Sequence, residues 1–328
     1  MKRLLTVLLI LISVVLAAAC DPLAPDPTQA ALARATHTPT ALPTAVPSLT
    51  PSHTPTPTRT PTATPTFPPT ATFFACTEQN GQVVTLQASS EAIDEPIPFR
   101  AYLPPCYDIT ARRYPFLMLL GEDDAPNVWL DEINLSQTLD QGIALGTLPP
   151  MIVIVPDGGE LAAAPRFGRA NAWDVLLLNA VLDTVERNFC TWNEREGRAM
   201  AGYGRGGFWA LTIAFREPEV FGAIGAFSPE LDGGNAPASV NPLDLARNID
   251  FPPGTQPRFW VDVGEEDDSA QSVAQFARTL QNREIALEYI RYSGNGGPKV
   301  WRDRLPRYLA FLSALWTTDV RDLPSCLQ

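Results

Sequence analysis

Between Tyr114 and Trp316 short continuous apolar runs alternate with longer stretches of helical periodicity, and no other feature restricts the fold as much. The runs "PFLMLLG" (115–121), "PMIVIVPDG" (150–158), "GRAMAGY" (197–203), "FGAIGAFSP" (221–229), "RFWVDVG" (258–264) and "LEYIRY" (287–292) read as strands, most of them covered on both faces. The spacing of apolar residues predicts helices around 128–145 and over "WDVLLLNAVLDTVERNF" (173–189), "GGFWALTIAFREP" (206–218), "AQSVAQFARTLQNR" (270–283) and "RLPRYLAFLSALW" (304–316). Strand and helix in alternation specify an α/β fold: a mostly parallel central sheet with helices on both faces. Ahead of it, "QVVTLQA" (82–88) and "IPFRAYLP" (97–104) read as an antiparallel hairpin. In such sheets the ligand crevice lies at the carboxyl ends of the strands.

The chain has 328 residues, 45% of them hydrophobic, enough for one substantial core with chain to spare. The surplus is N-terminal. "MKRLLTVLLILISVVLAAAC" has a basic start, an apolar run and small residues before Cys20, the pattern of an export signal over residues 1–19. Ala17-Ala18-Ala19 suits ordinary cleavage; the segment also resembles a bacterial lipoprotein signal, which would leave Cys20 lipidated. Five cysteines favour the lipid: with Cys20 modified, Cys76, Cys106, Cys190 and Cys326 form an even set in an oxidising compartment. The hairpin register brings Cys76 near Cys106, and Cys190 with Cys326 is the remainder. Residues 20–74 alternate Pro and Thr, which cannot bury enough surface to order itself and stays extended, roughly 3 Å per residue where it is polyproline-like. The expected arrangement is an anchor at Cys20, a stalk to residue 74, and a folded domain over 75–328 on the outer face of a membrane, or the same domain secreted. Of the formal charge of −12, the leader holds +2 and the stalk is balanced, so 75–328 carry −14. That argues against nucleic acid as a partner and against adhesion to anionic lipid.

The blocks "AYLPPCYD", "RRYPFLMLLG", "PPMIVIVPDG", "NEREGRAMAGYGRGGFWALTIAFREPEVFGAIGAFSPEL" and "FWVDVGEEDD" resemble, in order, the esterase D/feruloyl esterase group of α/β hydrolases, which includes the mycolyltransferases. The resemblance covers nearly all of 76–316 and implies the α/β-hydrolase fold. It does not by itself carry activity. Hydrolysis needs a nucleophile, a base and oxyanion donors. The family elbow G-x-S-x-G-G falls on Gly202–Gly207, and its serine position is Gly204. The family histidine, five residues before a tryptophan, falls on Gly296 before Trp301. Both histidines of the chain, His37 and His53, lie in the stalk. The acid falls on Asp267. The family's His-Gly after the first central strand is replaced by Gly121-Glu122-Asp123-Asp124, leaving the Arg205 N–H as an oxyanion donor.

These replacements point to an esterase fold that binds an envelope component, a glycan or an acylated ligand, with Tyr203, Arg205, Glu122, Asp123 and Asp267 as candidate binding residues. The alternatives are a hydrolase or acyltransferase with unfamiliar catalytic residues, for which Ser228 and Tyr203 are candidate nucleophiles, and a structural surface domain with a filled crevice. No cofactor or metal is implied, although the acidic strand ends (Glu122–Asp124, Asp157, Glu265–Asp268) could accommodate Ca²⁺.

Overall fold

The computed structural model describes residues 76–122, 127–164, 166–231 and 236–327; the leader, Cys20, the stalk, His37, His53, Asp123 and Asp124 lie outside them. Among the described residues there are eight strands: β1 (Gln82–Ala88), β2 (Ile97–Leu103), β3 (Phe116–Leu120), β4 (Ile152–Pro156), β5 (Arg198–Tyr203), β6 (Ala223–Phe227), β7 (Arg258–Gly264) and β8 (Leu287–Tyr292). They form one sheet in the order β1-β2-β4-β3-β5-β6-β7-β8. β1 and β2 are antiparallel to each other, β2 is antiparallel to β4, and every later pairing is parallel. The sheet reverses its strand order around β3 and β5, so the crevice position expected for an open α/β sheet lies beyond Leu120 and Tyr203.

Helices α1 (Tyr107–Thr110), α2 (Val128–Asp131), α3 (Leu135–Ala144), α4 (Gly159–Ala163), α5 (Trp173–Leu176), α6 (Asp183–Asn188), α7 (Arg205–Arg216), α8 (Pro242–Asn248), α9 (Ala270–Asn282) and α10 (Pro298–Leu312) cover the two faces. A π-helical stretch over Leu177–Leu182 joins α5 to α6 in one continuous run. β3, β4 and β6 are buried at every position, as strands covered on both sides must be. Two hydrophobic cores result, one for each face. The first gathers Phe208, Phe215, Phe259 and Phe276 around α7 and α9; the second gathers Trp129, Tyr203, Phe227, Trp301 and Tyr308 under α10.

Two sequence expectations need correction. The helix expected around 128–145 is two, because Asn134 adopts φ 61° between α2 and α3. The closing helix starts at Pro298, where a proline at the first helical position loses no hydrogen bond, and it runs through Pro306. The helix α8 carried no recognised signal, although Asn241 caps it by accepting from the Leu243 N–H at 2.9 Å. Both expected disulfides are present: Cys76–Cys106, with Cα atoms 5.7 Å apart, and Cys190–Cys326, at 5.9 Å.

Candidate functional site: a rebuilt nucleophile elbow

The central feature is the turn from β5 into α7. Gly204 sits there at φ 52°, ψ −121°, a region in which a side chain is strained. Neighbours fix it on both sides. Its N–H donates to the Phe227 carbonyl at 3.0 Å, and its own carbonyl accepts from Phe208 N–H at 3.2 Å and Glu230 N–H at 3.0 Å. β3 delivers Gly121 and Glu122 to the same place, because Leu120 is in register with Gly202. The Trp129 indole N–H holds the Leu120 carbonyl at 3.0 Å.

The Glu122 carboxylate occupies the space that a side chain on residue 204 would take. A Cβ built on Gly204 would overlap Oε1 of Glu122 and lie 2.6 Å from its Cδ. The approach depends on Gly206 as well. A Cβ there would stand 2.6 Å from the Leu120 carbonyl oxygen and 2.8 Å from that of Gly121, so only glycine lets the end of β3 lie against the first turn of α7.

The position expected for the base is filled in a comparable way. Gly296 lies in the loop between β8 and α10, and its N–H donates to Asp267 Oδ1 at 2.6 Å. Oδ2 of Asp267 accepts from the Ser228 hydroxyl and from the Gly264 N–H, each at 2.7 Å. The Ser228 proton is committed to Asp267, so the Tyr292 hydroxyl, 2.7 Å from Ser228 Oγ, is the donor in that bond. Burial, above all, pushes the Tyr292 phenol up to about 12, so it keeps its proton. A Cβ on Gly296 would meet Ser228 Oγ at 2.7 Å and Tyr292 Oη at 3.2 Å. Two hydroxyls therefore stand where a side chain at 296 would begin, and Asp267 already holds three donors. Ser228 itself is at φ 43°, unusual for a residue other than glycine, and its N–H donates to the Asp262 carbonyl at 2.9 Å.

The flanking residues are packed. Tyr203, a candidate ligand contact and nucleophile, is 2% exposed; its ring lies against Trp301 (centroids 3.9 Å apart) and Trp129 (5.5 Å), so it is part of the core. The Arg205 guanidinium lies over Phe208 and Trp209, at 4.4 and 5.0 Å from the ring centroids. Its backbone N–H opens α7 at the place an oxyanion donor would occupy. Among the described residues, Glu265 and Asp157 of the acidic rim lie apart. Glu265 lies 3.9 Å from Arg291, and Asp157 lines a separate cavity of about 700 Å³ with Asp94, Glu95 and Glu160. Among the described residues no three His, Cys, Asp or Glu side chains cluster to hold a metal ion. Cys106 and Cys190 are in disulfides, which removes both as thiol nucleophiles.

Sequence reasoning placed Glu122 in an acidic rim and missed that it reaches the elbow. It also missed Tyr292 and the buried Asp262. The serine in "AFSPEL" was the visible trace of the hydroxyl network, since a polar residue directly after a buried strand needs a partner.

A family model described as Putative esterase matches residues 90–312. The chain belongs to this esterase family. Among curated proteins it is 29% identical over 159 residues to an endo-1,4-beta-xylanase/feruloyl esterase of Xylanibacter ruminicola, covering 45% of this chain and 22% of that protein. It is 32% identical over 118 residues to an esterase of Mycobacterium tuberculosis, covering 34% of this chain and 24% of the relative. The chain thus spans less than a quarter of the length of each. Solved structures share the fold: a ferulic acid esterase at TM-score 0.64 and 19% identity, covering 72% of this chain and all of that one, and an S-formylglutathione hydrolase of Staphylococcus aureus at 0.58 and 16%, covering 71% and 98%.

Proposed function

We propose that this chain is an esterase-family domain that has lost ester hydrolysis and is displayed outside the cell as a binding domain. Export by residues 1–19, a lipid on Cys20 and the Pro/Thr-rich stalk belong to the same proposal. The observation that carries it is the Glu122 carboxylate in the nucleophile's place. An acyl carbon brought to this elbow meets a resident negative charge, with no hydroxyl at residue 204 and no imidazole anywhere in 76–327 to activate one. What supports a ligand class is the relatives' names: a protein named feruloyl esterase acts on an acyl group, which favours an acylated glycan or other envelope component here.

A second reading has one observation in its favour. Ser228 combines a strained backbone with a hydroxyl 2.7 Å from a carboxylate, which makes it the best remaining candidate for a nucleophile. Hydrolysis of p-nitrophenyl acetate by the purified full chain separates the two. The expected result is no turnover above buffer. Turnover that is lost on heat denaturation overturns the binding reading, and its further loss in Ser228→Ala would transfer the activity to Ser228.

A further inference from the structure

We propose that the end of the sheet opposite the crevice binds a phosphate group, in a cavity of about 190 Å³ lined by Arg195, Arg198 and Arg258. Arg198 and Arg258 are the first residues of β5 and β7, which places the cavity at the amino ends of the parallel strands. The site goes beyond the function proposed above and does not depend on the fate of ester hydrolysis.

The local sequence explains why the cavity is open. β6 runs between β5 and β7 and brings only Gly222 and Ala223 to this edge. The Gly222 N–H donates to the Arg198 carbonyl at 2.9 Å, and the Arg258 N–H donates to the Gly222 carbonyl at 3.0 Å, so the three strands begin side by side. A Cβ on Gly222 would stand 2.9 Å from the Arg195 carbonyl oxygen, so glycine lets the Arg195 turn lie against this edge. The side chains are then tied in three directions. Arg198 pairs with Glu186 of α6. Arg258 donates to the last carbonyls of α10, Phe311 at 2.9 Å and Leu312 at 3.3 Å. Arg195 donates to the carbonyls of Pro218 at 2.9 Å and Thr255 at 2.7 Å.

These bonds position the guanidinium groups without saturating them. Each group carries five N–H donors. The Nε atoms of Arg198 and Arg258 are buried with no acceptor among the described residues. Of the three arginines only Arg198 is ion-paired; Arg195 and Arg258 are held by neutral carbonyls. Burial, above all, lowers the pKa of both, against the charges of Glu196 and Glu288, and both remain cations. A partly buried cation with no bonded carboxylate is costly to hold, and a bound anion relieves that cost. Against the three arginines the lining sets one carboxylate, Glu196, so the local sign opposes the −14 of the domain. Three guanidinium groups around one space suit an anion with at least three oxygens. A carboxylate needs only one arginine, which forks both of its oxygens. Leu315, 67% exposed, and Trp316 add an apolar side to the cavity, against which the carbon of a small phosphate ester could rest.

The test is isothermal titration calorimetry of the full chain with inorganic phosphate, glycerol phosphate and acetate at matched ionic strength. Saturable one-to-one binding of phosphate is expected, with acetate at least tenfold weaker. Equal affinity for acetate, or no saturable binding of either phosphate, overturns the proposal. Glycerol phosphate separates the sources: tighter binding than inorganic phosphate assigns the site to a phosphate carried on an organic group, and equal or weaker binding assigns it to the free ion. Folded Arg195→Gln should lose at least tenfold in phosphate affinity, and unchanged affinity overturns the proposal. Leu315→Glu and Leu315→Lys cover an arginine variant that does not fold, because they alter the charge beside the cavity at an exposed position. The glutamate should weaken phosphate binding at least tenfold and the lysine should tighten it; the same affinity in both variants overturns the proposal.

Discussion

Asp262 lies wholly inside the fold on β7, a place where a charge is expensive to hold. Its Oδ2 accepts from the Trp260 indole at 3.2 Å, while Oδ1 has no partner among the described residues. Burial pushes its carboxyl up to about 6; Tyr308, Trp260, the Arg304 charge and the Ser228 N–H act in the opposite direction without cancelling it. The sign follows. A carboxyl with a raised folded pKa binds its proton more tightly in the fold, so its contribution to stability is full below about pH 4. That contribution is lost as pH rises to about 6, a difference of about 3 kcal/mol. Asp262→Asn should remove this component. Denaturant unfolding between pH 4 and 7 is expected to show the variant gaining on the natural protein as pH rises, and parallel curves would refute the assignment. Nothing in the sequence marked Asp262 apart from other carboxylates at strand ends. "RFWVDVG" specifies a buried strand, but what lies over residue 262 is decided by α10, forty residues away.

At the scale of elements, the elbow is a joint between β3, β5 and α7, and its glycines act together. Gly206→Ala would force a Cβ against two backbone carbonyls that cannot rotate away, and is expected to cost about 1–3 kcal/mol in chemical denaturation. Restoring the family residues is constrained by the same joint. Gly204→Ser with Gly296→His supplies both groups expected from the resemblance, yet the serine meets Glu122 and the histidine meets Ser228 Oγ, whose rotation would break its bond to Asp267. Serine at φ 52°, ψ −121° adds strain of about 1–3 kcal/mol. The double variant is therefore expected to show no p-nitrophenyl acetate hydrolysis above the natural chain. Adding Glu122→Ala should be the first step that changes this, and full activity in the double variant alone would show that Glu122 moves aside freely. The strands of this joint were legible because short apolar runs between turn residues have few other readings. That glycine stands at residues 204 and 296, where the resemblance led one to expect serine and histidine, was legible in the sequence alone. The replacements were not, because Glu122 is two residues beyond β3 and eighty-two from Gly204, and only the β3–β5 register makes them neighbours.

Across the whole molecule, the two disulfides act on the ends of the folded domain. Cys76–Cys106 closes the chain where the stalk would enter, beside a cavity of about 550 Å³ lined by both cysteines, Tyr114 and Val320. Cys190–Cys326 ties the C-terminal segment to the residue that precedes the Tyr114–Thr191 bridge, where Arg113 and Cys326 N–H groups also bond across to Pro324 and Ala111 carbonyls. Their sequence separations differ, 30 against 136. Loop entropy then assigns about 4 kcal/mol to the first and about 5 kcal/mol to the second. Replacing Cys190 and Cys326 together by serine should lower unfolding stability at least as much as replacing Cys76 and Cys106, even though the second bridge holds only the last residues of the chain. The reverse order, measured by urea unfolding under identical conditions, would mean that the C-terminal segment detaches locally before the sheet opens, so that its bridge constrains a part already free in the unfolding step. This difference also bears on the proposed anchor. Under that proposal the load would enter the domain through Cys76, so the bridge that secures the entry point need not be the one that contributes most to global stability. Cys20→Ser tests the anchor independently: it should move the protein from the membrane fraction to the soluble fraction with both bridges intact, and retention on the membrane would remove the lipid from the proposal.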